Sequence, residues 1–262
     1  MTQIADPAGS GQSQVPADVE DLVLAAGRRI ELPGVANLRD VGGYPAADGA
    51  VVRWRALFRS DGLHRLEASG LAALAGFSLR TIVDLRTEAE TQLAPSVRDG
   101  LPARLRHIPV IGGDLQSLPL ELPAIYRYLV EQRGDSIAAA IGALCEPAAV
   151  PALVHCSAGK DRTGIVIALV LAVLGVPDQV IASDYALSGR YLDPDRTLAI
   201  GQLQASTELG GDLTRPLLCS PPELILDVLA LVRGSAGSAD DYLLCHGLSG
   251  SDLARLRSAL LR

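Results

Sequence analysis

Between Pro151 and Leu174 the chain passes from an apolar stretch, Pro151 to Val154, through a tight polar loop into ten apolar residues, Ile165 to Leu174. The junction reads Val154-His-Cys-Ser-Ala-Gly-Lys-Asp-Arg-Thr-Gly164. A strand ending at His155 and a helix beginning near Arg162 force the residues between them to curl, and Gly159 supplies a backbone conformation that other residues resist. Such a curl aims successive N–H groups inward as an anion nest. The helix N-terminus adds unpaired donors and the positive end of its dipole. Any fold containing this unit must butt a buried strand against the start of a buried helix, which is the arrangement of an α/β sheet.

The rest of the chain agrees. Strand-like runs are read over 51–59 (an edge strand or hairpin), 79–85 (central), 104–110 and 152–155. Helical spacing covers 67–75, closed by Gly76, then 87–93, 126–132 and 136–146. After Pro177 ends the buried helix, helices are read over 178–189, 195–206, 222–232, 240–245 and 252–261. The expected fold is α/β, with a small, mostly parallel central sheet flanked by helices on both faces and a predominantly helical C-terminal half. Residues 1–25 are read as a flexible tail. Met1 to Val19 is rich in Ala, Gly, Ser, Gln and Pro and lacks the basic start and apolar core of a signal peptide. Residues 26–262 are read as a single catalytic domain. Ile165 to Leu174 is about half of the ~20 apolar residues that span a bilayer, so no transmembrane segment is expected.

The loop predicts a chemistry. Cys156 and Arg162 are separated by the five residues Ser157 to Asp161. Arg162 can grip two phosphoryl oxygens through its planar fork. The same positive surroundings favour the thiolate of Cys156, which attacks phosphorus in line to give a cysteinyl-phosphate that water then hydrolyses. Ser157, Ala158, Gly159, Lys160, Asp161 and Arg162 are the expected phosphate-binding residues. Thr163 is expected to donate its hydroxyl to the departing sulfur. Asp161, inside the loop, and Asp84, at the C-terminal end of a strand, are the two carboxyls able to serve as general acid. Asp161 is the favoured acid, and Asp84 a partner that positions water or the loop, or else a plain strand-end carboxylate paired to Arg86. His155 is read as structural.

His155-Cys-Ser-Ala-Gly-Lys-Asp-Arg-Thr-Gly164 resembles the signature of the cysteine-dependent protein tyrosine phosphatases. The Lys-Asp pair before the arginine narrows the resemblance to an atypical, mostly bacterial branch. Gly34-Val-Ala-Asn-Leu-Arg-Asp-Val-Gly-Gly43, Leu57-Phe-Arg-Ser60, Val83-Asp-Leu-Arg86, Ser183-Asp-Tyr185 and Asp241-Tyr-Leu with Gly247-Leu-Ser resemble further blocks of that branch, in order, over 31–262. The resemblance implies Cys156 as nucleophile, Arg162 as phosphate clamp and Asp161 as an in-loop acid. It implies phosphotyrosine as substrate, with phosphoserine, phosphothreonine and phosphoinositides beside it. The stretch from Pro109 to Tyr126 is short and lacks a long acidic insertion, a departure from the branch.

Composition sets the remaining bounds. A net charge of −7 argues against nucleic acid and against a polybasic membrane anchor. Lys160 is the sole lysine among 23 basic residues, and its place in the loop offers a point charge for a second phosphate. Asn37 is the sole asparagine; with Arg39 and Asp40 it is read as a brace for the sheet's edge. Arg59 is weighed as a partner for a carboxylate near the loop, and Asp184 and Tyr185 as packing behind it. The four cysteines, 145, 156, 219 and 245, show neither CxxC nor zinc spacing, so no metal, cofactor or disulfide is expected and a cytoplasmic setting is. Gly159-Lys160 is no nucleotide P-loop, since Asp161 stands where Ser or Thr would. The rivals to a phosphatase are a phosphate-binding pseudophosphatase and a rhodanese-like sulfurtransferase.

Overall fold

Side chains alternate across a strand with period two, and here that alternation divides the interior in two. The computed structural model describes residues 17–25, 27–112, 121–192 and 220–262. Strands β1 (Arg39–Asp40), β2 (Leu57–Ser60), β3 (Thr81–Asp84), β4 (Arg104–His107) and β5 (Ala152–His155) form a sheet in the order β1-β2-β5-β3-β4. β1 is antiparallel to β2, and the other pairs are parallel. Leu57, Val83, Ala152 and Val154 enter the larger core cluster, while Phe58, Ile82 and Leu153 enter the smaller.

The larger core is built by helices α4 (Leu122–Gln132), α5 (Gly134–Cys145), α6 (Asp161–Val173), α7 (Asp178–Tyr191), α8 (Pro222–Ala236), α9 (Ala239–Cys245) and α10 (Gly250–Leu260). α5 and α6 lie directly on the strands. α6 is buried almost all round, as its uniformly apolar sequence requires. The opposite face is covered more thinly, by Leu74 of α2 (Ala68–Ala75) and by Leu63 and Leu66 of a short turn. The α/β class is therefore as expected, with most of the helical mass on one side.

Three local expectations change. The run 51–59 is no edge strand: β2 is confined to Leu57–Ser60 and lies inside the sheet between β1 and β5. Arg55 breaks the run by taking a left-handed backbone, φ 60°, with its N–H donated to Asp40 Oδ2 at 2.7 Å. Val51 and Val52 make isolated bridges to Pro45 and Leu261 instead. Second, the 79–85 run is interior as expected, but as β3 it lies one place from the middle of the sheet, which β5 holds. Third, the expected tail over 1–25 ends in helix α1 (Ala17–Val23), which packs on α7 and buries Val23. The helix read over 195–206 and Cys219 lie outside the described residues.

Register places the site. His155 is level with Ser60 of β2 and with Asp84 of β3, so three parallel strands end together. The crevice beyond the C-terminal ends of such strands is where open α/β sheets gather their chemistry. Among the described residues no helix is long and apolar enough to cross a membrane.

Candidate active site

β5 ends at His155, the loop spans 156–160, and α6 begins at Asp161. Gly159 sits at φ +65°, and a Cβ there would fall 2.0 Å from the Ser60 carbonyl oxygen. Only glycine combines that backbone with that approach. The curl is thus pressed against the end of β2, where Gly62 N–H also donates to the Ser157 carbonyl at 3.0 Å.

Within the loop, Cys156 is 2% exposed, and its side chain lies in electrostatic reach of Arg162 and Arg59. Arg162 is held by a residue that sequence reading missed. Its Nη1 and Nη2 donate to Glu90 Oε2 and Oε1 at 2.6 and 2.8 Å, and Ser157 Oγ donates to Glu90 Oε1. Glu90 belongs to α3 (Glu88–Leu93), where it closes a capping box with Thr87: Thr87 N–H donates to Glu90 Oε2 at 2.8 Å and Glu90 N–H to Thr87 Oγ1 at 3.2 Å. The Thr-Glu-Ala-Glu pattern was the available signal for that cap, but nothing local ties it to an arginine 72 residues away. Burial favours a neutral Glu90, yet Arg162 and the Ser157 and Thr87 donors hold its carboxyl well below the ordinary range. Two of the five guanidinium N–H donors serve Glu90, which leaves others for an oxyanion.

Asp161 lies at the first turn of α6 with a fifth of its side chain exposed. Its Oδ1 accepts from Tyr126 OH at 2.7 Å and pairs with Lys160 Nζ at 3.3 Å. Lys160 is buried. Asp84 is placed differently: it is buried and receives Arg86 Nε on Oδ1 at 2.9 Å and Arg86 Nη2 on Oδ2 at 2.7 Å. His155 Nε2 stands 3.7 Å from Asp84 Oδ2. Burial works against ionising Asp84, but His155 and Arg86 hold its pKa below the usual value. His155 is itself fully buried, and that burial lowers its pKa. Thr163 is buried, and its Oγ1 has no hydrogen-bond partner among the described residues.

A second buried network holds the loop from behind. Asp184 of α7 accepts from Arg39 Nε at 3.1 Å, Arg59 Nη1 at 2.8 Å and Tyr44 OH at 2.9 Å. Arg59 Nη2 goes on to the Gly159 carbonyl at 2.8 Å. Asn37, in the left-handed region at φ 55° that asparagine tolerates, donates Nδ2 to the Ala158 and Gly159 carbonyls at 2.9 and 3.0 Å. Arg39 donates to Asn37 Oδ1 in turn. The expected brace therefore divides: Asn37 and Arg39 support the loop, while Asp40 ties the β1 turn through the N–H groups of Gly42 and Arg55. Carbonyls turned outward to these donors leave the loop's N–H groups for its interior.

Residues 30–262 match the model of the Tyrosine phosphatase family. The Triple specificity protein phosphatase PtpB of Mycobacterium tuberculosis is 30% identical over 275 residues, covering 88% of this chain and 98% of that protein. A Tyrosine-protein phosphatase of Nostoc commune is 30% identical over 237 residues, covering 82% of this chain and 78% of that protein. The chain belongs to the tyrosine phosphatase family and is an enzyme of that hydrolase class.

Proposed function

We propose that this protein hydrolyses phosphate monoesters of the phosphotyrosine type through a cysteinyl-phosphate on Cys156, and that phosphoserine, phosphothreonine and phosphoinositide esters also enter the loop. One observation carries the reading. A cysteine and an arginine share a single anion-binding curl, and Glu90 locks the arginine by two hydrogen bonds. The similarity to the Triple specificity protein phosphatase PtpB supports the breadth.

In the first step the Cys156 thiolate attacks phosphorus; the S–P bond forms and the ester P–O bond breaks. Asp161 gives its proton to the leaving oxygen. In the second step water attacks phosphorus, Asp161 takes a proton from it, and the S–P bond breaks. The sulfur leaves with the electron pair, and the Thr163 hydroxyl, unpartnered among the described residues, is available to donate to it. Loop N–H groups and Arg162 carry the charge on the transferring group throughout. Asp84 has both oxygens committed to Arg86, which supports a bracing role beside His155 and leaves the acid role to the partly exposed Asp161.

Asp161→Asn tests the acid. Its kcat/KM on phenyl phosphate should fall roughly 10²-fold, while activated p-nitrophenyl phosphate is much less affected. A silent Asp161→Asn beside a crippled Asp84→Asn would reverse the assignment. Lys160→Ala tests breadth. Because Lys160 is buried against Asp161, the substitution should slow phosphotyrosine peptides and phosphoinositides alike. A loss confined to phosphoinositides would give Lys160 the second-phosphate role that its position in the sequence suggested.

A further inference from the structure

Two tyrosines from separate helices converge on the acid. Tyr126 of α4 and Tyr185 of α7 are both buried, their rings meet edge to face at 6.3 Å, and their hydroxyl oxygens are 2.7 Å apart. Tyr126 OH is also 2.7 Å from Asp161 Oδ1. In the sequence Tyr126 marks only the start of a helical run.

We infer that Tyr126, backed by Tyr185, is the positioning residue of Asp161, fixing the carboxyl through Oδ1 so that Oδ2 carries the proton exchanged with substrate. The inference rests on Asp161 being the acid proposed above. A phenol has one hydrogen to give. Tyr126 spends it on Asp161, so the Tyr185 hydroxyl must donate to Tyr126, and the chain runs Tyr185 to Tyr126 to Asp161. Lys160 Nζ, which has donors only, approaches the same Oδ1 at 3.3 Å. An oxygen facing two donors cannot itself hold a proton toward them. The transferable proton therefore sits on Oδ2, and the carboxyl need not rotate between its acid and base steps.

The surroundings suit this arrangement. Burial keeps both phenols protonated, pushing each well above its ordinary pKa. The groups facing Asp161 are Lys160 and Arg162 from its own segment, Tyr126 from α4 and Tyr185 from α7. Gly164 makes room for the pair: a Cβ there would lie 2.9 Å from Tyr185 Cδ2. The last glycine of the loop motif thus has a physical reason in this chain, since a side chain would push the Tyr185 ring off α6.

The test is a set of aryl phosphates, from p-nitrophenyl to unsubstituted phenyl, on wild type, Tyr126→Phe, Asp161→Asn and the double variant. Tyr126→Phe keeps the ring and removes one hydrogen bond to a charged group. It should lower kcat/KM on phenyl phosphate about tenfold and leave p-nitrophenyl phosphate nearly unchanged. In the Asp161→Asn background it should cost nothing further, because a residue acting only through Asp161 has no effect once that carboxyl is gone. Tyr185→Phe should show the same leaving-group pattern, more weakly, since Tyr126 keeps its bond to Asp161. Equal slowing across the series, or a tenfold loss that persists in the Asp161→Asn background, would overturn the inference and leave the acid assignment standing. A silent Asp161→Asn overturns both. A wild type that turns over no aryl phosphate overturns the functional reading itself.

Discussion

Cys156→Ser yields a folded protein that still binds phosphate or tungstate and releases no phosphate from any ester. Serine nearly matches cysteine in size, so the 2%-exposed floor of the loop repacks little. The hydroxyl is a far weaker nucleophile than the sulfur and has no adjacent base in the described network to activate it. Removing a covalent nucleophile typically costs on the order of 10⁵–10⁶ in turnover, which brings the rate to background. Binding is spared because its donors lie elsewhere: the loop N–H groups, the start of α6, and Arg162 on its Glu90 anchor. Phosphate release and calorimetric titration of tungstate on the same preparation separate the two quantities. Turnover within about a hundredfold of wild type would move the nucleophile to another residue. Simultaneous loss of turnover and tungstate binding would make the sulfur a packing element. Wild-type protein that binds tungstate and hydrolyses nothing would be the pseudophosphatase.

The nucleophile, the clamp and the loop were legible because their causes are local. An apolar strand, one glycine at positive φ and an apolar helix specify β5, the curl and α6 within a single stretch of chain. β3 and β5 were legible as short apolar runs, and α3 from its helical spacing over 87–93. What failed to show depends on distance along the chain. Glu90 carries an ordinary capping pattern, and only the fold brings it 2.6 Å from Arg162. Tyr126 reads as one more apolar-face residue until α4 and α7 set it beside Tyr185 and Asp161. The placement of β2 went astray because a positive φ at Arg55 splits a run that looks continuous. Asp84 carried two readings, a functional carboxyl or a strand-end carboxylate paired to Arg86 two residues on, and the buried pair at 2.7 Å decides for the second. Local propensity names elements; the assignment of charges to partners is a property of the packed chain.

Asp184→Asn is expected to be the most destabilising single substitution around the site. Asp184 is 1% exposed and is the carboxylate partner of Arg39 and Arg59, themselves 0% and 1% exposed. Burial and the neighbouring Arg39 pull the Arg59 pKa down to about 10, which still leaves it charged at neutral pH. Losing the carboxylate strands two buried guanidiniums with a neutral amide. Breaking a buried pair in this way costs roughly 3–5 kcal/mol, a large part of the ~5–15 kcal/mol by which a domain is stable. The same network fixes the acid limb of stability. Burial alone would raise the Asp184 pKa, but Arg39 and Arg59 hold it far below its unfolded value, as Arg162 does for Glu90. The unfolded chain therefore binds more protons than the native one once pH drops below about 4. The stability these carboxylates supply is fully present above that range and is lost as pH falls through it. Urea unfolding of wild type should show that decline, and Asp184→Asn should show lower stability at pH 7 with a flatter acid limb. Arg59 also holds the Gly159 carbonyl, so residual folded Asp184→Asn should lose turnover beyond its loss of folded fraction. An unfolding free energy at pH 7 within about 0.5 kcal/mol of wild type would mean that solvent reaches the two arginines and that the loop is held by its backbone and Asn37 alone.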